Sequence, residues 1–522
     1  MTVHAIAGLT AFNLVLAALG SALMFALRPR LPRREYVRLA GVSYLLGVAA
    51  AMIAFTLVLV LGIPLDWPSM AVCLLLLAGG GALAGGWRRR PRTHAAALPA
   101  LTLPSAAVLA LVVVILEAVF RKGRLQGLLE FDGWDSWGPK AKALYFFGQL
   151  QPHFLADLPG GSYPPGLPAL LSGALHAIGS PDVVTVHLQF WFLGAGFVAA
   201  LIGLLAGRVD LLLLFVFALV VFVMPDIRSR SVDMYGDLTL GYAVATAALL
   251  FALWVEEGGD WRIAVAAVLL AGAVLTKREG ILLAVCVVAA ALIASIGRLR
   301  QVWLRLASVL GAAVAAWLVW QIWLSAHDLP GNGPSGGLHF LRDPGRGWTA
   351  LRTVVDNLFQ FDLWLMSTTI GIVAVGLCLL VRDWRPAVYA GTLFVLLVLG
   401  CSVILWSDPN LQLSDVNVVS RLVGTVALSL VALTPLLLQR AWGPVRSWRV
   451  PAWHRALAWG AVATAAVAYP ATLLVEGGAR FPKASDCNQP GALYAKSYPV
   501  ARRLGGGKIT QDGCGRLRVE SP

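Results

Sequence analysis

The sequence predicts an all-helical bundle that crosses a membrane many times, and three observations support this fold class. Of the 522 residues, 58% are hydrophobic and only 13% are charged, a balance that excludes an ordinary soluble protein. Windows of about 18 or more apolar residues recur along the chain. They are too continuously apolar for barrel strands, which alternate. Because a chain in lipid must satisfy its backbone hydrogen bonds internally, these runs are predicted to be helices.

About fourteen apolar runs are predicted to span the membrane. The first of them has no basic start and no small-residue cleavage site, so we expect a retained span rather than a signal peptide. The predicted spans lie near 6–27, 39–63, 69–86, 102–120, 184–206, 211–225, 238–255, 262–275, 281–297, 302–325, 362–381, 386–406, 419–438 and 456–475.

Arginines cluster in alternate short loops, which is the positive-inside pattern of a membrane protein. The net charge of +14 therefore indicates cytoplasmic loops rather than nucleic-acid binding. The alternation requires that 164–178, which opens with prolines and carries His176, is an interfacial or re-entrant helix. The segments predicted to face outward are 121–182, 226–237, 326–361, 407–418 and 476–522.

Acidic and basic residues concentrate in the first outward segment. Asp132 and Asp135 lie one helical turn apart directly after an apolar run, and Lys140 and Lys142 follow them. A carboxylate at an interface can take a proton from a hydroxyl, and lysines in the same cavity can bind a lipid phosphate. We therefore expect a reaction centre for an anionic lipid. The alternative is that both acids are simply solvated.

Two other outward segments supply further charged residues. Asp233 and Asp237 lead into a span, where helix capping is the alternative role. Arg421 opens a later span, where the alternative is an arginine that reaches to the interface. The Gly/Pro-rich segment 326–361 carries His339 and has the composition of a loop that closes over a site.

The motif T-K-R-E-G at 276–280 interrupts a long apolar stretch and predicts a helix break. It places Lys277, Arg278 and Glu279 close to the membrane, where ionisable residues are costly and indicate function. The alternative is that Lys277 and Glu279 only pair with each other.

Six cysteines are present, and four of them, Cys73, Cys286, Cys378 and Cys401, lie in apolar spans. Cys487 and Cys514 lie in the polar tail. If the tail is outside, these two are predicted to form a disulfide that closes a loop of about 27 residues and contributes about 3 kcal/mol.

The order of these motifs resembles that of the GT-C class of membrane glycosyltransferases. The nearest branch is the bacterial one, related to dolichyl-phosphate-mannose–protein mannosyltransferases and to the lipid A aminoarabinose and galacturonic acid transferases. The pattern D-x-W-x-x-W-x-x-K-A-K stands here as D-G-W-D-S-W-G-P-K-A-K from Asp132 to Lys142, and a Y-P-P turn follows at Tyr163. A second outer acid, a K-x-E-G break and a late arginine complete the set, at Asp233 or Asp237, at 277–280 and at Arg421.

The resemblance covers 101–440 and implies a GT-C-like bundle with interfacial helices in its large outer loop. Three spans precede the usual first one, so 1–100 is expected to be an N-terminal addition to a catalytic core at 101–475. The segment 476–522 replaces the large soluble domain of some members with a short periplasmic tail.

The implied function is inverting transfer of a sugar from a polyprenyl-phosphate donor to a hydroxyl of a lipid, glycan or protein. The reaction would take place on the periplasmic face of the bacterial inner membrane. Asp132 is the expected general base, with Asp135 as the second candidate. No cofactor is required, although some relatives use a divalent metal, for which Asp132 with Asp233 or Asp237 is the candidate ligand set. The expected ligands of the donor phosphate are Lys140, Lys142, Lys277, Arg278 and Arg421. The candidate substrate-binding residues are Tyr163, Glu279, His339, Trp134 and Trp137.

Two alternative functions remain. A transporter or flippase of lipid-linked sugars should show paired repeats and midplane charges, whereas this chain has no repeat and carries its charges in outer loops. A ligase that joins whole lipid-linked glycans would share the topology without needing an aspartate base.

Overall fold

The computed structural model describes most of the chain. Only the backbone is described for Trp134, Asp135 and His339, whose side-chain roles as predicted base and substrate ligands therefore lie outside the description. The described residues are 3–29, 31–87, 100–125, 132–158, 160–329, 337–408, 411–443, 451–475, 508–511 and 517–520.

Helices account for nearly all of the described residues. Short 3-10 turns at Ile296–Arg298 and Gly337–Arg342 and a π-helical turn at Gly133–Trp137 connect some of them. The helices are α1 (Val3–Leu27), α2 (Arg33–Arg38), α3 (Ala40–Val60), α4 (Trp67–Trp87), α5 (Leu103–Leu125), α6 (Gly138–Phe147), α7 (Pro152–Asp157), α8 (Gly166–Ile178), α9 (Val183–Val186), α10 (Gln189–Leu205) and α11 (Leu211–Val223). They continue with α12 (Pro225–Arg230), α13 (Gly236–Glu257), α14 (Asp260–Thr276), α15 (Gly280–Ala294), α16 (Leu299–Ala326), α17 (Pro344–Leu358), α18 (Phe361–Trp364), α19 (Ser367–Leu380), α20 (Trp384–Ser407), α21 (Val416–Trp442) and α22 (Ala452–Val475).

Eight helices of the described chain are long and apolar enough to cross a membrane, so the protein is a polytopic membrane protein. They are α1, α3, α4, α5, α13, α16, α20 and α21. Most predicted apolar runs coincide with one helix, but 184–206 and 362–381 are each divided between two helices, and the predicted fourteen spans are not confirmed. Helices such as α10, α11, α15 and α19 are apolar yet shorter than the roughly 20 residues that a hydrocarbon core requires.

The first helices are part of the main core rather than a separate addition. α1 packs against α3 and α8, and α3 packs in addition against α8, α10 and α14. A buried polar cluster joins them, because the Asn13 amide donates to Gln189 Oε1 at 2.9 Å and the Tyr44 hydroxyl donates to Asn13 Oδ1 at 2.6 Å. Buried polar groups of this kind fix one arrangement of neighbouring helices. The predicted boundary near residue 100 is therefore not a boundary of packing.

The proline-led segment predicted as an interfacial or re-entrant helix forms α8. Its residues 166–175 are all buried, in contact with α1, α3 and α6. A helix that lay on the lipid surface would leave one face exposed, so the burial supports the re-entrant alternative.

The tail contributes the departure from an all-helical fold. Strands β1 (Lys508–Gln511) and β2 (Leu517–Glu520) pair antiparallel, with Lys508 opposite Glu520. The predicted disulfide between Cys487 and Cys514 lies outside the described residues.

The long helices separate two groups of polar segments. α13 has 22 residues and is therefore about 33 Å long at 1.5 Å per residue, which matches the thickness of a hydrocarbon core. Asp237 lies at one end of it and Glu257 at the other. α14 returns from Arg262 to the end that holds Asp237, where Lys277 follows it. Each end of this helix pair borders a polar cavity.

Candidate functional site

Arg421 joins two acidic residues that are far apart in sequence. Its guanidinium Nη1 donates to Asp132 Oδ1 at 3.1 Å, and Nη2 donates both to Asp132 Oδ2 and to Asp237 Oδ2, the latter at 3.0 Å. The side chain of Arg421 is 15% exposed. These contacts with two carboxylates argue against an arginine that only reaches to the interface.

The beginning of α21 positions Arg421. Asp415 caps the helix, since its carboxylate accepts from the backbone N–H of Asn417 at 2.9 Å. Arg230 of α12 then donates to Asn417 Oδ1 at 2.8 Å and to Ser420 Oγ at 2.7 Å. The buried Asp226 accepts from Arg230 at 2.9 Å, and burial raises the pKa of this carboxyl although Arg230 opposes the effect. These contacts hold Ser420, the residue before Arg421, in place.

A wide turn presents Asp132. The residue directly precedes the π-helical turn Gly133–Trp137, which continues into α6. A Cβ on Gly138 would lie 2.3 Å from the Gly133 carbonyl oxygen, so only glycine fits where the turn closes. Gly138, the second glycine of the G-W-D-S-W-G motif, is thus required by the turn that directs the Asp132 side chain toward Arg421.

Asp237 lies in the first turn of α13, where the helix dipole favours a negative charge. Tyr235 occupies the capping position and Asp237 instead accepts from Lys277 Nζ at 2.7 Å, so capping does not account for the acid. Lys277 and Asp237 are each 4% exposed. Burial opposes the charge of Lys277, but the carboxylates of Asp237 and Glu279 outweigh it and raise the pKa of the ammonium.

The predicted helix break is confirmed, because α14 ends at Thr276 and α15 begins at Gly280. Lys277 between them is extended, with φ −150° and ψ 149°. A Cβ on Gly280 would lie 2.5 Å from the Ala273 carbonyl oxygen, so the glycine allows α15 to start against the end of α14. Lys277 forms its ion pair with Asp237, which argues against a pairing with Glu279 alone.

Three cationic side chains lie near the aromatic ring of Tyr163. The ammonium groups of Lys140 and Lys277 each lie 5.5 Å from the ring centroid, and the Arg278 guanidinium lies 5.6 Å from it. Trp137 stacks on Tyr163 with centroids 5.6 Å apart. Burial, followed by the nearby Glu279, raises the pKa of the Tyr163 phenol, so it stays protonated and able to donate.

Lys140 lies buried behind this ring and donates to the Gly160 carbonyl oxygen. Burial lowers the pKa of its ammonium to about 7, although the charge of Asp132 acts in the opposite direction. The lysine therefore changes charge near neutral pH, unlike Lys277.

A cavity of about 220 Å³ lies between Asp132, Tyr163, Lys277 and Arg421. Two of its buried oxygens, Ser136 Oγ and Glu279 Oε2, have no hydrogen-bond partner among the described residues. Such groups are open to a ligand that donates or accepts hydrogen bonds. The lining residues are Asp132, Ser136, Gly160, Tyr163, Asp237, Lys277, Glu279, Leu411, Val418, Arg421 and Leu422.

Six residues singled out in the sequence thus line one cavity: Asp132, Tyr163, Asp237, Lys277, Glu279 and Arg421. The sequence reasoning missed Ser136, although it follows Asp132 by four residues and the helical spacing i, i+4 places two side chains on one face. The apolar wall of Leu411, Val418 and Leu422 had no recognisable signal in the sequence.

Other predicted residues are not on the cavity wall. Lys142 and Asp233 are buried elsewhere, and Arg278 pairs with Asp408 at 2.6 Å. Trp137 is fully buried and stacks on Tyr163, so it contacts this ring rather than the cavity, and its role as a direct substrate ligand stays a prediction. Lys140 also contacts the ring of Tyr163 rather than the cavity itself.

The predicted metal-ligand set does not fit a divalent ion. Arg421 and Lys277 occupy the carboxylate oxygens of Asp132 and Asp237, and Asp233 does not line the cavity. No group of three or more His, Cys, Asp or Glu side chains within the described part of the chain is arranged to hold a metal. Cations of the chain itself neutralise the acidic pair.

No protein-family model, curated protein or solved structure matches the chain. The resemblance to GT-C glycosyltransferases thus rests on the sequence motifs.

Proposed function

We propose that the protein is an inverting glycosyltransferase that moves a sugar from a polyprenyl-phosphate donor to a hydroxyl acceptor. The observation that carries the proposal is the meeting of Asp132, Lys277 and Arg421 in one cavity at one end of the long helices. A base and two phosphate-binding cations are the groups that such a transfer requires. We place this end at the periplasmic face of a bacterial inner membrane, since the arginine-rich loops lie at the other end.

Asp132 is the proposed general base. It accepts the proton of the acceptor hydroxyl, whose oxygen attacks the anomeric carbon as the bond from that carbon to the donor phosphate oxygen breaks. Asp237 is a poorer candidate because Lys277 and Arg421 both occupy its oxygens.

Lys277 and Arg421 are the proposed ligands of the donor phosphate. Charge-assisted hydrogen bonds from both would stabilise the polyprenyl phosphate as it leaves. The cavity lining holds three carboxylates and two cations, so a phosphate must compete with Asp132 and Asp237 for Arg421. When the phosphate takes Arg421, Asp132 is released to accept the hydroxyl proton. Donor binding and activation of the base are thereby one event.

The size of the cavity limits what it accommodates. Its volume of about 220 Å³ is below the 300–1,000 Å³ that ligand pockets usually have. It suits the sugar and phosphate of the donor, and the polyprenyl chain then lies against the lipid-facing side of the bundle. Ser136 Oγ and Glu279 Oε2 are available for sugar hydroxyls.

The test is transfer of labelled sugar from polyprenyl-phosphate donors to membrane extracts by purified protein. Asp132→Asn keeps the shape of the side chain but removes the base, so transfer should fall by about 10²–10⁴-fold while donor binding persists. Asp356→Asn is the matched control, because Asp356 pairs with Arg352 on the exposed face of α17, and its transfer should equal that of the wild type.

Transfer that survives Asp132→Asn would leave a glycosyltransferase with the base misassigned, and Asp135 and Asp237 would be replaced next. A wild-type protein that transfers no sugar but scrambles lipid-linked sugars across liposomes would be a transporter, contrary to the proposal.

A further inference from the structure

A second polar cavity lies at the other end of the bundle and is larger than the first. Its volume is about 310 Å³, and segments that follow α1, form α2, follow α10 and open α14 contribute to it. Four arginines and two glutamates line it, which leaves a formal charge of +2. Its charged residues are Arg28, Arg38, Arg208, Arg262, Glu35 and Glu257.

The glutamates account for three of these arginines. Arg38 Nη2 lies 2.5 Å from Glu35 Oε2. Arg208 binds both oxygens of Glu257, with Nε at 2.5 Å and Nη2 at 2.7 Å, and Arg262 also donates to that carboxylate. Both oxygens of Glu257 are therefore engaged, and Glu35 is held by Arg38 through Oε2.

Arg28 is the fourth arginine of the cavity, and none of these ion pairs includes it. It is half-buried and forms no ion pair with a carboxylate of the described residues. Its guanidinium lies 5.1 Å from the centroid of the Trp261 ring, and Arg262 lies 5.3 Å from the same ring. Burial lowers the pKa of Arg28, Glu35 partly offsets this effect, and Arg38 and Arg208 add to it. An anion beside Arg28 would relieve this unfavourable setting.

Two buried donors nearby also lack partners. Arg38 Nε and Arg262 Nε have no hydrogen-bond partner among the described residues, and Arg262 is 7% exposed. Buried donors of this kind are rare and call for an explanation in terms of a ligand or water.

We infer that this second cavity binds a phosphate group, with Arg28 as its main ligand and Arg38, Arg208 and Arg262 around it. Planar guanidinium groups on several sides are the usual means of holding a phosphate. The phosphate is either a lipid headgroup of the adjoining leaflet or a free anion. The inference does not depend on the proposed transfer reaction, because this cavity and the first lie at opposite ends of α13 and α14.

Two probes distinguish these sources in the full-length protein. For a free anion, purified protein in neutral detergent is titrated with inorganic phosphate at constant ionic strength, and the shift of its melting temperature is measured. For a headgroup, the protein is exchanged into nanodiscs of phosphatidylcholine with or without phosphatidylglycerol, and native mass spectrometry counts retained lipid.

Arg28→Gln is the test variant, and Arg300→Gln is its control because Arg300 is an exposed arginine at the same end. We expect Arg28→Gln to weaken one of the two bound species on the order of tenfold, as the loss of a charge-assisted bond predicts, with Arg300→Gln unchanged. Loss of the phosphate shift assigns a free anion, and loss of retained phosphatidylglycerol assigns a headgroup. Equal behaviour of wild type and Arg28→Gln with both probes overturns the inference.

A measurement on the wild type covers the case in which Arg28→Gln does not fold. Arginines are modified with phenylglyoxal with and without each probe, and modified peptides are quantified by mass spectrometry. The bound phosphate should slow modification of Arg28 and leave Arg300 unaffected. Equal rates for Arg28 under all conditions would refute the site.

Discussion

At the scale of single residues, the pairing of Arg421 with Asp132 and Asp237 decides how the first cavity behaves. In the absence of a ligand, N–H donors of Arg421 occupy both oxygens of Asp132. An acceptor hydroxyl that arrives first therefore finds both oxygens of Asp132 already engaged. The proposed order of events, donor before acceptor, follows from this single contact.

Removal of Asp237 should be costly to the fold. Asp237→Ala leaves Lys277 and Arg421 facing each other without the buried carboxylate between them, and breaking a buried pair in this way costs about 3–5 kcal/mol. We expect a marked fall in the melting temperature, which is measured in detergent by tryptophan fluorescence. The exposed pair of Asp356 and Arg352 is the comparison, because Asp356→Ala should change stability by about 1 kcal/mol or less. Similar losses in the two variants would contradict the importance of burial.

The charge of Lys140 should make stability depend on pH. Its folded pKa of about 7 is below the usual value of 10.5, so the unfolded chain binds more protons between these values and stability rises with pH across that window. Below about pH 7 both states are protonated and the full cost of burying the charge remains. The melting temperature of wild type relative to Lys140→Met should therefore increase from pH 6 to pH 9. A constant difference would show that Lys140 does not titrate there.

The predicted residues that line the first cavity could be grouped from the sequence for one physical reason. Loop position and charge indicate which side chains lie at the same end of the bundle, and Asp132, Lys277 and Arg421 follow from that alone. The direction in which a side chain points around the helix axis is harder to predict. Lys140 and Lys142 are two residues apart on α6, so they point about 200° apart and cannot both face one cavity. The engagement of Arg278 by Asp408 likewise depends on how α15 and α20 pack.

At the scale of elements, the break between α14 and α15 is the feature that places Lys277 and Glu279. Both the charge motif and the glycine at its end were visible in the sequence. The burial of α8 could not be predicted from the sequence. Its proline-led apolar run is too short to span a membrane, and its length does not indicate how deeply the helix lies in the bundle.

The break predicts a contrast between two glycines. Gly280→Ala would place a methyl group 2.5 Å from the Ala273 carbonyl oxygen and 2.8 Å from Val274 Cα, so α15 must shift and displace the charged residues before it. Both melting temperature and sugar transfer should fall. Gly311→Ala in α16 meets no atom within 4 Å, and alanine there should leave transfer unchanged and stabilise the helix by up to about 1 kcal/mol. Equal tolerance at both positions would refute the close contact.

At the scale of the whole molecule, the two cavities are expected to face opposite sides of the membrane. This topology follows from the arginine-rich loops and from the length of α13. The shared core of α1, α3 and the later helices was not predicted, because the resemblance led to 1–100 being treated as an addition.

Cysteine labelling tests the orientation. In a variant without the six native cysteines, Asp260→Cys and Arg352→Cys each introduce one thiol on an exposed side chain, with side-chain exposures of 75% and 74%. A membrane-impermeant maleimide added to spheroplasts should label position 352 and not 260, and both should react after lysis. The reverse pattern would place the first cavity in the cytoplasm.

The ion pair between Asp132 and Arg421 also has a consequence for biosynthesis. The two residues are 289 positions apart, so at about 5–20 residues per second a ribosome needs roughly 15 to 60 s to make the second after the first. During that interval Asp132 waits without its cation, whereas Asp237 is followed after 40 residues by its other partner, Lys277. A nascent chain that stops before Arg421 therefore keeps Asp132 at the membrane surface without its arginine, which distinguishes an unfinished copy from a complete one.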